Sequence, residues 1–511
     1  MDRTDVVGAR ASNAGDDFHV LWALSHAIRV LDPSSNLSAV TVEGIPPTRG
    51  VQAKQGAWDG VDVGLFYGGE SLSSASSVEI QQLKYSTASP TAAWTVARLC
   101  RSTRKVGNNS VIARLAKAYS EARKFATQLA PTAVVVKLVS NQPIHDNVLR
   151  ALATARRSQA TTQGSAAAKD RKKLKQASGL AEKEFAQFAN ALDFSECQGP
   201  SRFDMHLRVV AAIGQIAASE SRQAMLELRN VVYTRMLPDD ESPITRAVLL
   251  GALFVGDPQA LLPCPSQLKP VETLVARGSV MTLAQELQSH QRACLHGEGG
   301  SGKTTALQDL KHKLPSGSEL VVFDCYGGGR YLDSDGQRHL SRHALLHLCN
   351  DVSARLGVPM LVTASPSVDY VREFSSRLRM AAEVIRARDV GALLIIAIDA
   401  ADNSVTAAQT RVPPERSFVH DVAELGDLPK NVRIVVAART GRLDALRLPA
   451  AFKAIRLAGF TLSEAAEFAR QRWKAAPERW IEDLHFLSDG NPRVISYAFD
   501  YAGRQPRNAV A

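Results

Sequence analysis

The stretch RACLHGEGGSGKTTAL (residues 292–307) decides how the second half of the chain is read. Ala293–His296 is a short apolar run of strand character, Gly297–Thr304 fits the spacing GxxxxGK[ST], and a helix is expected from about Thr304. Gly297, Gly299, Gly300 and Gly302 allow successive backbone N–H groups to turn toward an anion, and the following helix N-terminus adds its partial positive charge. Lys303 is placed to reach the β- and γ-phosphates of a nucleotide, the Thr304 hydroxyl to ligate Mg²⁺, and Thr305 to complete the binding loop. ATP and Mg²⁺ are the expected cofactors.

Working outward, GALLIIAIDAADNS (391–404) is an apolar strand that ends in Asp399, where a carboxylate would hold the magnesium shell. Asp402 follows in the strand-to-helix turn, either orienting an attacking water or capping the helix. The strand in NVRIVVAARTGRL (431–443) ends in Arg439, with Arg442 close behind. Arg439 is read as a γ-phosphate sensor, against the alternative of a surface arginine at a strand end. ELVVFDCYGGG (319–329) supplies another strand with a glycine-rich exit, and LSDGNPRVISYAF (487–499) sets Gly490-Asn491-Pro492 between helical runs. Strand and helix alternate from residue 273 to about 445, which predicts a parallel sheet with crossover helices.

The chain has 511 residues, 45% hydrophobic and 22% charged, the balance of a globular protein with two to four domains. No apolar run approaches a membrane span, and the N-terminus lacks a signal-peptide core, so no membrane partner is expected. The six cysteines are scattered without a CxxC pair, which fits a reducing, cytoplasmic setting. A net charge of +10 is compatible with a polyanionic partner without demanding one.

In the first half, a helical run (16–31) is followed by strand-like AVTVEG (39–44), VDVGLFY (61–67) and VEIQQLKY (78–85). A helical segment and a buried strand (133–141) complete a small α/β unit. Alternation puts Val78, Ile80, Gln82 and Lys84 on one face of the third strand and Glu79, Gln81 and Leu83 on the other. A core-facing strand that finishes in an amide and a lysine either leaves the core there or presents both groups to a ligand. Residues 145 to 250 read as helical throughout, and 156–179, rich in lysine and arginine, as an exposed, mobile insertion. The proline-rich stretch 256–272 reads as a connector.

The order of motifs from about 270 to 500 resembles the STAND branch of P-loop NTPases: an apolar entry at VARG (275–278), the GKTT loop, a strand ending in DxxD, a strand ending in arginine, and a helical segment with a GxP motif. That resemblance implies a nucleotide switch that oligomerises and triggers an attached effector, with Pro492 packed by the nucleotide. Many relatives carry an acidic pair where this chain has Asp402-Asn403, which argues against fast hydrolysis but not against binding.

Residues 1 to 235 more loosely resemble the PD-(D/E)XK-like double-stranded DNA endonuclease domain found as an effector in bacterial anti-phage systems, including antiviral STAND proteins. The resemblance puts Asp62, Gln82 and Lys84 in metal-binding and catalytic positions, Asp62 and Gln82 gathering the ion, with Glu43 as an added carboxylate and Asp59 as a substitute for Asp62. The fold class expected is a restriction-endonuclease-like α/β domain (1–145) with a helical extension (146–255), a linker (256–272), a P-loop NTPase domain (273–445) and a helical segment (446–511). The implied function is nucleotide-switched, metal-dependent cleavage of double-stranded DNA in phage defence by a homo-oligomer, a tetramer by resemblance. Against it stand a signalling scaffold with an inactive nuclease fold and a DNA-repair or restriction ATPase. Antiviral STAND proteins usually carry a long C-terminal repeat region that senses a phage protein. None is present here, so a separate sensor is expected, or a chain that is a fragment.

Overall fold

The computed structural model describes residues 3–46, 56–104, 107–156, 165–217, 220–271, 273–333, 337–363, 365 and 367–502, with side chains between residues 12 and 501. The chain divides into two compact units, the first ending at Gly256 and the second starting at Asp257. Among the described residues no helix is long and apolar enough to cross a membrane.

The first unit is built on a mixed six-stranded sheet. Its strands are β1 (Leu37–Val42), β2 (Val63–Tyr67), β3 (Ser77–Lys84), β4 (Val134–Ser140), β5 (Leu192–Asp193) and β6 (Ile244–Thr245), in the order β5-β4-β3-β2-β1-β6. β1, β2 and β3 form an antiparallel meander, whereas β4 runs parallel to β3, as a crossover carrying the helix Val111–Phe125 allows. The four longer strands coincide with the apolar runs in the sequence. β5 and β6 interrupt the stretch expected to be wholly helical, and two residues are too few to show a period of two.

One face of this sheet packs Val78, Ile80 and Leu138 against Leu115, Tyr119 and Phe188. The other lies under the N-terminal helix Arg3–Val30, whose Trp22 Nε1 donates to Gln81 Oε1 at 2.6 Å. The alternation read from the third strand is therefore the observed one. The basic stretch 156–179 is corrected in its described part. Residues 166–178 form a helix between the cap Ser165 and left-handed Gly179. Leu174 and Ala177 bury one face, and Lys175 pairs with Glu182 at 2.7 Å, so apolar anchors dock the charge run. Residues 157–164 lie outside the described residues.

The second unit is a five-stranded parallel sheet with helices on both sides. Its strands are β7 (Arg292–Gly297), β8 (Glu319–Asp324), β9 (Leu394–Asp399), β10 (Val432–Arg439) and β11 (Lys453–Arg456), in the order β11-β7-β10-β9-β8. Every residue of β9 is buried, as a central strand covered on both faces requires. β10 lies between β7 and β9, so the glycine loop after β7 and the aspartate ending β9 face each other across one intervening strand. The segment after Asp257 is pinned to this unit. Gln267 N–H donates to Asp324 Oδ2 at 2.9 Å, and the buried Arg338 donates to the carbonyls of Cys264 and Pro265. Helices Leu462–Arg472, Glu478–Leu487 and Pro492–Ala502 complete the unit.

Candidate functional site

The second unit gathers its polar side chains at the carboxyl ends of the parallel strands, where an open α/β sheet binds ligands. Gly300 and Gly302 hold φ of +85° and +89°, which only glycine adopts freely, and the helix Lys303–Leu310 begins directly after them. A Cβ on Gly300 would stand 2.6 Å from Asn491 Oδ1, so the loop is also closed from above. Asn491 Nδ2 donates to the Gly299 carbonyl at 2.9 Å, the Arg493 N–H donates to the Gly300 carbonyl at 3.3 Å, and Pro492 lies over Gly302. The expected Gly-Asn-Pro turn thus sits on the phosphate loop.

Lys303 Nζ donates to the carbonyls of Gly297 and Glu298, both at 2.9 Å, and so folds back on its own loop. Burial draws the ammonium below its ordinary value, opposed by the charges of Asp402 and Asp399. Thr304 Oγ1 donates to Asp399 Oδ2 at 2.6 Å, which joins the two residues expected to share a magnesium ion. Asp399 is almost fully buried, and that burial lifts its carboxyl to about 6 despite the Thr304 hydrogen bond. A hydroxyl and a carboxylate in contact beside a glycine loop with a lysine fit a nucleotide and its hard, oxygen-seeking metal. These groups line a cavity of about 670 Å³ that also takes in Thr305, Arg439 and Pro492.

Asp402 lies inside the first turn of helix Ala401–Gln409, where left-handed Ala400 is the N-cap residue, so the capping alternative does not hold. It is buried, 3.1 Å from Arg439 Nε and 3.7 Å from Arg442. Arg439 also donates to Asn403 Oδ1 at 2.9 Å. Asp402 and Asn403 together thus fix the guanidinium expected to sense the γ-phosphate. Arg277, quoted in the sequence only as part of an entry segment, is a buried clamp. It donates to the carbonyls of Ser301 (2.7 Å), Ala458 (2.6 Å) and Gly459 (2.9 Å). One arginine after an apolar pair carries no signal of that role.

A pH-dependent stability follows from Asp399. Its folded-state value is above its unfolded one, so the unfolded chain releases this proton first and the nucleotide-free unit is penalised as pH rises from about 4 to about 6. Asp399→Asn removes the penalty. Thermal unfolding is expected to show a stabilisation of order 2 to 3 kcal/mol above pH 6, shrinking toward zero near pH 4.

In the first unit three of the residues expected to form a hydrolytic centre, Asp62, Lys84 and Glu43, meet at the rim of the sheet. Asp62, just before β2, donates its N–H to the Gln81 carbonyl at 2.9 Å and accepts the Leu83 N–H on Oδ2 at 2.5 Å. Lys84 Nζ stands 3.9 Å from the same oxygen. Burial raises the Asp62 carboxyl above the ordinary range, against the opposing charges of Lys84 and His19. Glu43, just after β1 at φ +54°, donates its N–H to the Asp62 carbonyl at 2.9 Å. Gln82 is wholly buried, and neither its amide oxygen nor its nitrogen has a hydrogen-bond partner among the described residues. The strand has therefore not left the core at Gln82. Asp59 is exposed and stands outside this group. His19, on the N-terminal helix, was not read from the sequence. Its ring, Glu43 and Asp62 each offer a ligand atom within 4.8 Å of the others.

No protein family and no curated protein matches the chain. Solved structures resemble it loosely. The Walker-type ATPase PABY2304 of Pyrococcus abyssi shares 16% identity over 47% of this chain and 71% of its own, with a TM-score of 0.35. A STAND protein with a tetratricopeptide repeat sensor from Pyrococcus horikoshii shares 16% over 44% of this chain and 29% of its own, at 0.26. The Moraxella osloensis Cap4 SAVED/CARF-domain containing receptor shares 11% over 83% of this chain and 69% of its own, at 0.25. What the side chains themselves establish is a two-unit α/β protein whose second unit is a parallel-sheet P-loop domain shaped for a nucleotide.

Proposed function

We propose that the chain is a nucleotide-controlled signalling ATPase in which occupancy of the phosphate loop is passed to the helical segment 462–502. The observation that carries this reading is the docking of Asn491 and Arg493 on the carbonyls of Gly299 and Gly300. A nucleotide that reorients those peptides and draws Lys303 off Gly297 and Glu298 alters the seat of the last helix. Asp399 and Thr304 would hold the magnesium ion, which supplies charge neutralisation on the phosphates. Asp402, held by two arginines, is the residue placed to orient water, and hydrolysis is expected to be slow.

Asn491→Ala tests the coupling. Loss of this one solvent-exposed hydrogen bond, worth about 1 kcal/mol, is expected to weaken nucleotide binding only about fivefold while abolishing most of the nucleotide-dependent protection of 492–502 from hydrogen exchange. Unchanged protection would contradict the coupling.

The first unit is proposed as the effector, a metal-dependent endonuclease acting on double-stranded DNA. Support comes from Asp62 and Lys84 at one rim, with Glu43 adjoining, and from the buried amide of Gln82, two residues before Lys84 on the same strand, which has no partner among the described residues. A divalent ion bound there would activate water and offset charge on a phosphodiester. Lys84 steadies the negative charge that develops on the phosphate, and the Leu83 N–H fixes the Asp62 carboxylate. DNA contacts would run through phosphates, with affinity falling steeply as salt rises. The defence role and assembly into a homo-oligomer rest on the sequence resemblance. A silent effector remains the second reading, because the amide of Gln82 gives the rim one carboxylate fewer than an acidic residue there would.

A further inference from the structure

We propose that His19 is a metal ligand, and that His19, Glu43 and Asp62 form a mixed nitrogen–oxygen site selective for a divalent transition ion over Mg²⁺. The inference deepens the reading of the first unit as a metal-dependent hydrolase and takes from it only the purpose of the ion.

Three separate pieces of chain bring these groups together: the N-terminal helix, the left-handed bend after β1 and the run-in to β2. Their ligand atoms lie within 4.8 Å of one another. His19 Nδ1 is 3.6 Å from Glu43 Oε1, too far for a hydrogen bond and suited to two donors facing a third body.

The helix that carries His19 is held in place on both sides of it. Phe18 stacks on Tyr85 with ring centroids 4.7 Å apart, and Trp22 donates to Gln81, the residue whose carbonyl accepts the Asp62 N–H. His19 is therefore pinned to the same strand that positions the aspartate. Asp17, two residues earlier, is bound by Arg202 at 2.7 Å and Arg229 at 2.5 Å, which ties the middle of the helix to its neighbours.

The donor chemistry sets the metal class. Two carboxylates at this spacing repel each other, and a dication relieves the repulsion. Mg²⁺ favours an all-oxygen octahedron and gives up its waters reluctantly, whereas an imidazole nitrogen suits first-row transition ions.

The test is titration of Mn²⁺ into the nucleotide-free full chain, following the electron paramagnetic resonance signal of free Mn²⁺. The wild type is expected to quench the signal of one ion per chain, and about tenfold excess Mg²⁺ should not restore it. His19→Ala and the bulk-retaining His19→Gln should each weaken binding by about tenfold or more, since even the loss of an outer-shell partner costs that much. Thermal unfolding of the wild type serves as a check that needs no variant, with Mn²⁺ expected to raise the midpoint further than equal Mg²⁺. Wild-type binding in both His19 variants, ready displacement by Mg²⁺, or no bound Mn²⁺ would overturn the proposal. Mn²⁺ held through His19 with DNA left uncut would instead sink the hydrolase reading and leave the site standing.

Discussion

Lys303→Ala is expected to abolish measurable nucleotide binding by the full chain. Lys303 is the cation at the mouth of the glycine loop, and without phosphates it spends its donors on the carbonyls of Gly297 and Glu298. A nucleotide exchanges those neutral contacts for charge-assisted bonds to two phosphates, each worth about 1.5 to 3 kcal/mol. Losing them costs at least about a hundredfold in affinity. Fold should survive, because Lys303 is only part-buried and its truncation frees two carbonyls at the edge of an open cavity. Calorimetric titration with ATP checks the first point and an unchanged melting curve without nucleotide checks the second.

Lys84→Ala carries the largest expected effect on the first unit. Its ammonium stands 3.9 Å from Asp62 at the end of β3, where its side chain is about a third exposed. Little stability is at stake in a partly exposed pair. Catalysis is a different matter: a lone positive group aimed at developing charge is typically worth about a hundredfold to a thousandfold in rate. Plasmid cleavage should therefore fall by at least about a hundredfold, with folding and Mn²⁺ binding retained. Equal cleavage by Lys84→Ala would remove the lysine from the chemistry.

Much of this arrangement was legible in the sequence, and the exceptions have physical causes. The glycine loop, Asp399 and Arg439 announce themselves because each sits where an apolar strand ends, and the strand periods locate those ends. The meander β1–β3 and the strand β4 follow from alternation and apolar runs. Edge strand β11 was invisible, since only Ile455 of its four residues is buried. The two-residue strands β5 and β6 were hidden for want of length. Leu174 and Ala177 were too sparse among lysines to reveal that the helix 166–178 docks. His19 lay beyond reach for another reason: its neighbours Glu43 and Asp62 are distant in sequence, and no spacing rule links a helix to the bends at two strand ends. Arg277 presents the same difficulty, because its partners are backbone carbonyls, which any sequence supplies.

The two units meet functionally in one claim, that nucleotide held by Lys303 governs chemistry at Asp62 and Lys84. The direct measurement is cleavage of supercoiled plasmid by the full chain with ATP and either Mg²⁺ or Mn²⁺, run beside Lys84→Ala and Lys303→Ala. Cleavage by the wild type and by neither variant is the predicted result. Cleavage by Lys303→Ala at the wild-type rate, or none by the wild type with either metal, would contradict it.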